Sequence, residues 1–235
     1  MWSLLEHEAK KFPAKPLLGF SDISSLHLFL NNLGFATIHG PVLSFFKESP
    51  TPTVNKLTSL KSTFDILMGK TPKITYKGFV PHNKMAQKSV GLIKGKLVGG
   101  NLSSLHYYDS VYRGFNFPAI WMIETIDDYT RIDSILEALR RGKFFKNAQA
   151  IIFGYLHGKS YSDSDFSKIQ ERCDLIIKKF AEKIDVPVFS IIAKDEECYL
   201  SFGHGDRNDP FPLGTDAVLQ ISSDDRETSL TISSS

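Results

Sequence analysis

The chain has 235 residues, enough for one large domain or two small ones, and its 42% hydrophobic content excludes a wholly disordered polypeptide. Lys and Arg number 28 against 26 Asp and Glu, a formal charge of +2, which gives no ground for a nucleic-acid or membrane-surface binder. The longest apolar runs, such as Ala150-Ile151-Ile152-Phe153, fall far short of the ~20 residues of a membrane span.

The amino terminus, Met1-Trp2-Ser3-Leu4-Leu5-Glu6-His7-Glu8, lacks the basic start, apolar core and cleavage site of a signal peptide, so a soluble cytoplasmic protein is expected. The first informative stretch is Lys15-Pro16-Leu17-Leu18-Gly19-Phe20-Ser21-Asp22, a short apolar run ending at Gly-x-Ser. A helix is predicted over 23–33, where Ile23, Leu26, Leu30 and Leu33 recur at spacings of three and four before Gly34. Residues 35–41 predict a strand that Gly40-Pro41 breaks. Residues 55–69 predict a second helix, with Leu57, Leu60, Phe64 and Leu67 on one stripe.

From residue 71 the character changes. Ile74-Thr75-Tyr76 suggests a short strand, residues 84–88 are mostly polar, and residues 91–100 are rich in Gly and Lys. Residues 71–96 are therefore read as an interdomain linker between a segment 1–70 and a domain 97–235. Beyond it, wholly apolar Ala119-Ile120-Trp121-Met122-Ile123 predicts a buried strand, and residues 132–141 a helix ended by Gly142. Strand 150–154, helix 167–184 and strand 186–192 follow. Strands alternating with helices predict an α/β fold with a largely parallel sheet. Residues 217–232 predict a hairpin around Ser223-Asp224-Asp225, and Ser233-Ser234-Ser235 a disordered end.

Cys173 and Cys198 lack metal-ligand spacing and read as reduced, buried thiols. The seven histidines are scattered, so neither a metal nor a cofactor is expected. Three residues could carry chemistry. Ser21 sits where a strand turns into a helix, a place that holds a nucleophile near free backbone N–H groups; taken alone, Ser21 or Asp22 reads there more readily as an ordinary helix N-cap. Ile23 stands where the full Gly-x-Ser-x-Gly pattern has glycine. Glu124 ends a buried strand, where ligands bind in open α/β sheets, or it is an exposed charge closing that strand. His204 lies between Gly203 and Gly205, on a loop beside a ligand or in a plain turn. His39 is read as a strand-end residue or one that supports the site from behind its reacting groups, and His27 as lying on a helix surface. Ser21, Glu124 and His204 occur in the order nucleophile, acid, base.

At these places the sequence resembles the LD-carboxypeptidase family of serine peptidases. The segments carrying the resemblance begin with Pro16-Leu17-Leu18-Gly19-Phe20-Ser21-Asp22-Ile23-Ser24-Ser25-Leu26-His27 and His39-Gly40-Pro41. Next come Gly95-Lys96-Leu97-Val98-Gly99-Gly100-Asn101-Leu102-Ser103-Ser104-Leu105 and Ile123-Glu124-Thr125. Tyr129-Thr130-Arg131-Ile132-Asp133 and Gly203-His204-Gly205 through Pro212-Leu213-Gly214 complete them. The resemblance implies catalytic Ser21, Glu124 and His204, with the backbone N–H of Asp22 as one oxyanion donor and no metal. It implies removal of the terminal D-alanine from a cytoplasmic murein tetrapeptide, in cell-wall recycling. The implied partner is that peptide, with no nucleic acid and no membrane, and with a homodimer because family members are often dimers.

Family members begin with strands and helices bearing an Arg-Gly-Gly motif that supplies the second oxyanion donor, and this chain starts after that point. It is therefore expected to be truncated at its N-terminus. The fold expected is a remnant of an N-terminal α/β domain with the nucleophile, residues 1–70, plus a C-terminal α/β domain with Glu124 and His204. Losing an oxyanion donor costs about 100- to 1000-fold in rate. The alternatives are a truncated, inactive relative that only binds peptide, and a microcin-type immunity hydrolase.

Overall fold

A strand sends successive side chains to opposite faces, so Ala119–Ile123 and Ala150–Phe153, apolar at every position, require cover on both faces. The computed structural model describes residues 7–8, 11, 15–43, 53–88, 90–109, 115–158, 166–191, 202–204, 207–224 and 227–233, and it supplies that cover. Strands β5 (Gly91–Asn101), β6 (Ala119–Asp127), β7 (Ala148–Gly158) and β8 (Val188–Ile191) pair in parallel. Val98, Trp121, Ile123, Ile151, Phe153 and Val188 pack on one face against helices α1 (Ser24–Asn32), α4 (Leu102–Asp109), α5 (Tyr129–Arg141) and α6 (Phe166–Ala181). Leu97, Ile120, Met122, Ala150, Ile152 and Phe189 pack on the other.

The sheet is mixed rather than largely parallel. β10 (Asp216–Ile221) and β11 (Ser229–Ser233) form the expected hairpin, and β10 also pairs antiparallel with β5. The order is β3-β11-β10-β5-β6-β7-β8-β4, where β3 is Lys73–Lys77 and β4 is Phe79–Pro81. Only Gly78 separates β3 from β4, yet they pair with opposite ends of the order. One kinked segment thus contributes a strand to each end of the order. The second core cluster draws on β4, β5, β6, β7, β8, β10 and β11 and packs on one face of this sheet.

Residues 71–96 are therefore not a linker. They supply β3, β4, the short helix α3 (Lys84–Lys88) and half of β5. Ser233 belongs to β11; residues 234–235, like Cys198 and residues 1–5, lie outside the described residues. Cys173 is a buried thiol.

A separate small sheet has the order β1-β2-β9, from Leu18–Gly19, Thr37–His39 and Phe211–Leu213. β1 and β2 are parallel, and β9 pairs antiparallel with β2, with 171 residues of sequence between the paired His39 and Phe211. Two further bonds tie β9 to the large sheet: Gly214 N–H to Leu97 O at 2.7 Å and Leu97 N–H to Thr215 O at 2.9 Å. Helix α2 (Val54–Leu67), capped by the Thr53 side chain on the Lys56 N–H, buries Ser59 and Thr63, and Ser59 Oγ accepts the Asn208 N–H.

Candidate active site

Ser21 opens a 3-10 turn, Ser21–Ile23, that runs directly into α1. Phe20 before it is extended, so the chain reverses direction at Ser21, whose φ of 61° is left-handed. For a residue with a Cβ this conformation costs of order 1–3 kcal/mol and persists only where neighbours impose it. The neighbours are visible. The Gly19 carbonyl accepts the Gly40 N–H at 3.0 Å and the His27 Nε2–H at 3.1 Å. The Ser21 carbonyl accepts from Ser104 Oγ at 3.3 Å, and Ser24 Oγ accepts the Asn101 N–H at 2.9 Å. Asn101 in turn caps α4 through Oδ1, accepting from the Ser103 and Ser104 N–H groups.

Glu124 lies near the carboxyl end of β6, paired in register with Asn101, on the same face as Ile120 and Met122. Opposite it β7 carries an extra residue, since Ile123 pairs with Phe153 but Thr125 with Leu156. Such bulges re-aim side chains beside sites. Glu124 is fully buried, and its Oε2 accepts from His204 Nδ1 at 2.7 Å. A carboxylate only accepts, so this bond puts the proton on Nδ1 and leaves Nε2 as the acceptor. Nε2 faces Ser21 Oγ at 3.2 Å. Gly203, with φ of 111°, lies so close to the carboxylate that a Cβ would stand 2.5 Å from Glu124 Oε2. The three candidate side chains are thus brought together from positions 21, 124 and 204, with His204 21% exposed at the mouth. Asp22 is exposed next to Ser21, at the N-terminal end of the turn where backbone N–H groups have no helical acceptor.

An aromatic layer holds the imidazole. The Phe20 ring meets His204 edge-on at 5.3 Å between centroids, and Phe202 stacks on His39 at 4.3 Å. His27 is not on a helix surface: α1 is packed between the two sheets, and its His27 ring is fully buried. Burial pushes its pKa down to about 4, opposed by the bond to Gly19, so at neutral pH it is an uncharged donor. His39, at the strand end as expected, is also fully buried and held well below the usual histidine range by burial and by the two neighbouring imidazoles. Sequence reasoning missed Ser24, Ser59 and Asn208. Ser59 and Thr63 carried the available signal, two polar residues four apart on one helix that the apolar stripe does not explain. Among the described residues no three His, Cys, Asp or Glu side chains gather in metal-binding geometry, and no helix is long and apolar enough to cross a membrane.

A hydroxyl, an imidazole and a buried carboxylate linked in this order are the arrangement of serine hydrolases, here on a mixed α/β fold. Residues 94–219 match the LD-carboxypeptidase C-terminal domain, and the chain belongs to the LD-carboxypeptidase family. It is 31% identical over 210 residues to a carboxypeptidase-named protein of Rickettsia conorii, covering 87% of this chain and 59% of that one. With the murein tetrapeptide carboxypeptidase of Pseudomonas aeruginosa it shares 28% over 213 residues, 88% of this chain and 63% of the relative. The chain thus spans about three fifths of the length of these relatives. The crystal structure of muramoyltetrapeptide carboxypeptidase from Oxalobacter formigenes has the same fold, with TM-score 0.67, 20% identity, and coverage of 93% of this chain and 68% of that one. MccF in complex with glutamyl sulfamoyl guanosine gives TM-score 0.66 at 15% identity, covering 99% and 70%.

Proposed function

We propose that this chain carries the catalytic centre of a serine carboxypeptidase that removes the terminal D-alanine from murein tetrapeptide in the cytoplasm, during cell-wall recycling. The observation that carries the reading is the continuous path from Ser21 Oγ through His204 to Glu124 Oε2, at 3.2 and 2.7 Å. His204 Nε2 takes the Ser21 proton as Oγ attacks the scissile carbonyl carbon. Glu124 stabilises the imidazolium so formed, and the Asp22 N–H donates to the developing oxyanion. The imidazolium then gives its proton to the amine of departing D-alanine, leaving an acyl-Ser21 ester. Water, deprotonated by His204, hydrolyses that ester and restores the hydroxyl. Murein peptide is preferred to an acyl-nucleotide substrate because the relatives of Rickettsia conorii and Pseudomonas aeruginosa are named carboxypeptidases, the latter for murein tetrapeptide.

Mass spectrometry of murein tetrapeptide incubated with the chain tests this. D-alanine release by the chain and not by its folded Ser21→Ala variant is expected. Release by both variants overturns the role of Ser21, and an intact tetrapeptide with well-folded protein overturns the carboxypeptidase reading for these 235 residues.

A further inference from the structure

We infer that Asn208 is the positioning residue for the His204 imidazole, clamping its turn to helix α2; this rests on the reading of Ser21, His204 and Glu124 as one site. Asn208 is fully buried. Its Oδ1 accepts the Gly203 N–H at 3.1 Å, and its own N–H donates to Ser59 Oγ at 3.1 Å. Gly203 and His204 are consecutive, so Asn208 fixes one end of this dipeptide while Glu124 fixes the other through Nδ1. A histidine with a glycine on each side has little conformational preference of its own, and Gly203 is in the left-handed region. Its orientation has to come from such tertiary bonds.

Ser59 gives the clamp its direction. Helix α2 also meets the strand end beside Ser21: a Cβ on Gly40 would lie 3.5 Å from Thr63 Oγ1, and the Gly40 N–H is bonded to the Gly19 carbonyl. One helix therefore references both the approach to Ser21 and the turn bearing His204. The chain around Asn208 is fixed as well, by the Arg207–Asp209 ion pair at 2.9 Å that brackets it and by Tyr76 OH donating to the Pro210 carbonyl at 2.5 Å. At 3.2 Å the Ser21–His204 contact is near the long end for a hydrogen bond, and a drift of a few tenths of an ångström breaks it. A misplacement of about 1 Å costs on the order of 100-fold in rate.

The test uses the whole chain and two readouts that need no peptide substrate. One is the downfield proton resonance of His204 Nδ1, produced by its short bond to Glu124. The other is the rate at which a fluorophosphonate probe labels Ser21: Oγ attacks phosphorus, fluoride leaves, and His204 takes the proton. Asn208→Ala is expected to broaden or abolish the resonance and to slow labelling by about 10- to 100-fold. Asn208→Asp, which keeps an acceptor oxygen in either protonation state, is expected to restore most of both. In a His204→Ala background the same Asn208→Ala change should slow labelling no further, because it acts through that imidazole.

An unchanged resonance in folded Asn208→Ala overturns the proposal, and so does a further loss in the His204→Ala background. If Asn208→Ala does not fold, Ser59→Ala removes the anchor instead, with the same expected and overturning results. The resonance decides the question even for a chain that reacts slowly with the probe. Failure of the underlying site reading is distinguishable: Ser21→Ala would then be labelled as fast as the unmodified chain.

Discussion

Ser21 combines two properties that pull in opposite directions. Its hydroxyl is 3.2 Å from an acceptor imidazole, and its backbone holds φ of 61°, which any residue with a Cβ occupies at a cost. The hydroxyl and the strain separate cleanly by mutation. Ser21→Ala removes the nucleophile and keeps the Cβ, so stability should stay near that of the unmodified chain. Ser21→Gly removes both, and relief of the left-handed conformation should make it more stable than Ser21→Ala by about 1 kcal/mol, read as a higher urea midpoint at unchanged slope. Equal midpoints for the Gly and Ala variants would mean that the turn stores no strain. A site more stable without its nucleophile is the expected signature of a conformation selected for chemistry rather than for folding.

At the scale of elements, the approach of α1 to the end of β5 sets where the Ser21 turn begins. Gly100 has φ of 131°, and a Cβ there would overlap the Ser24 side chain whose Oγ holds the Asn101 N–H. Gly100→Ala therefore has to push α1 away as well as adopt an unfavourable backbone, a loss of about 3 kcal/mol or more. It should also uncouple Ser21 from His204, so that labelling of Ser21 falls even in the folded fraction; a variant with the parent's urea midpoint would sink this account. Much of this element-level design was legible. β6 and β7 announced themselves as wholly apolar runs, α1 by regular spacing before Gly34, and α5 by Gly142 just past its end, although its start at Tyr129, capped by Asp128 on the Thr130 N–H, lies three residues before the expected one. The first half of β5 did not, because Gly91-Leu92-Ile93-Lys94-Gly95-Lys96 has the composition of a loop and becomes strand by pairing along its length with β10, β6 joining only from Lys96. Helix α4 was missed for a similar reason, offering only Leu102, Leu105 and Tyr108 to the core. His27 looked external because no sequence pattern reveals that α1 is covered by a sheet on each side.

For the whole molecule, the nucleophile and its base come from opposite ends of the chain, and β9 is the strand that makes them one unit by bonding to β2 and, through Gly214 and Thr215, to β5. Between these layers lie two fully buried histidines, His27 and His39, whose pKa values burial holds down. Folding is thereby linked to protons. Between pH 6.5, the ordinary histidine value, and about 4, the unfolded chain binds a proton at His27 that the native state refuses. Stability from this group is fully present above pH 6.5 and falls as pH drops toward 4. At pH 4.5 the loss from His27 alone is about 2 to 3 kcal/mol, and His39 adds to it in the same direction. His27→Gln keeps a donor for the Gly19 carbonyl but does not titrate. Urea unfolding of the two proteins at pH 7.5 and 4.5 should therefore show a shallower acid loss for His27→Gln, by roughly that amount. Parallel pH profiles would mean that the native state accepts the His27 proton after all, and that the core between the two sheets is open to water.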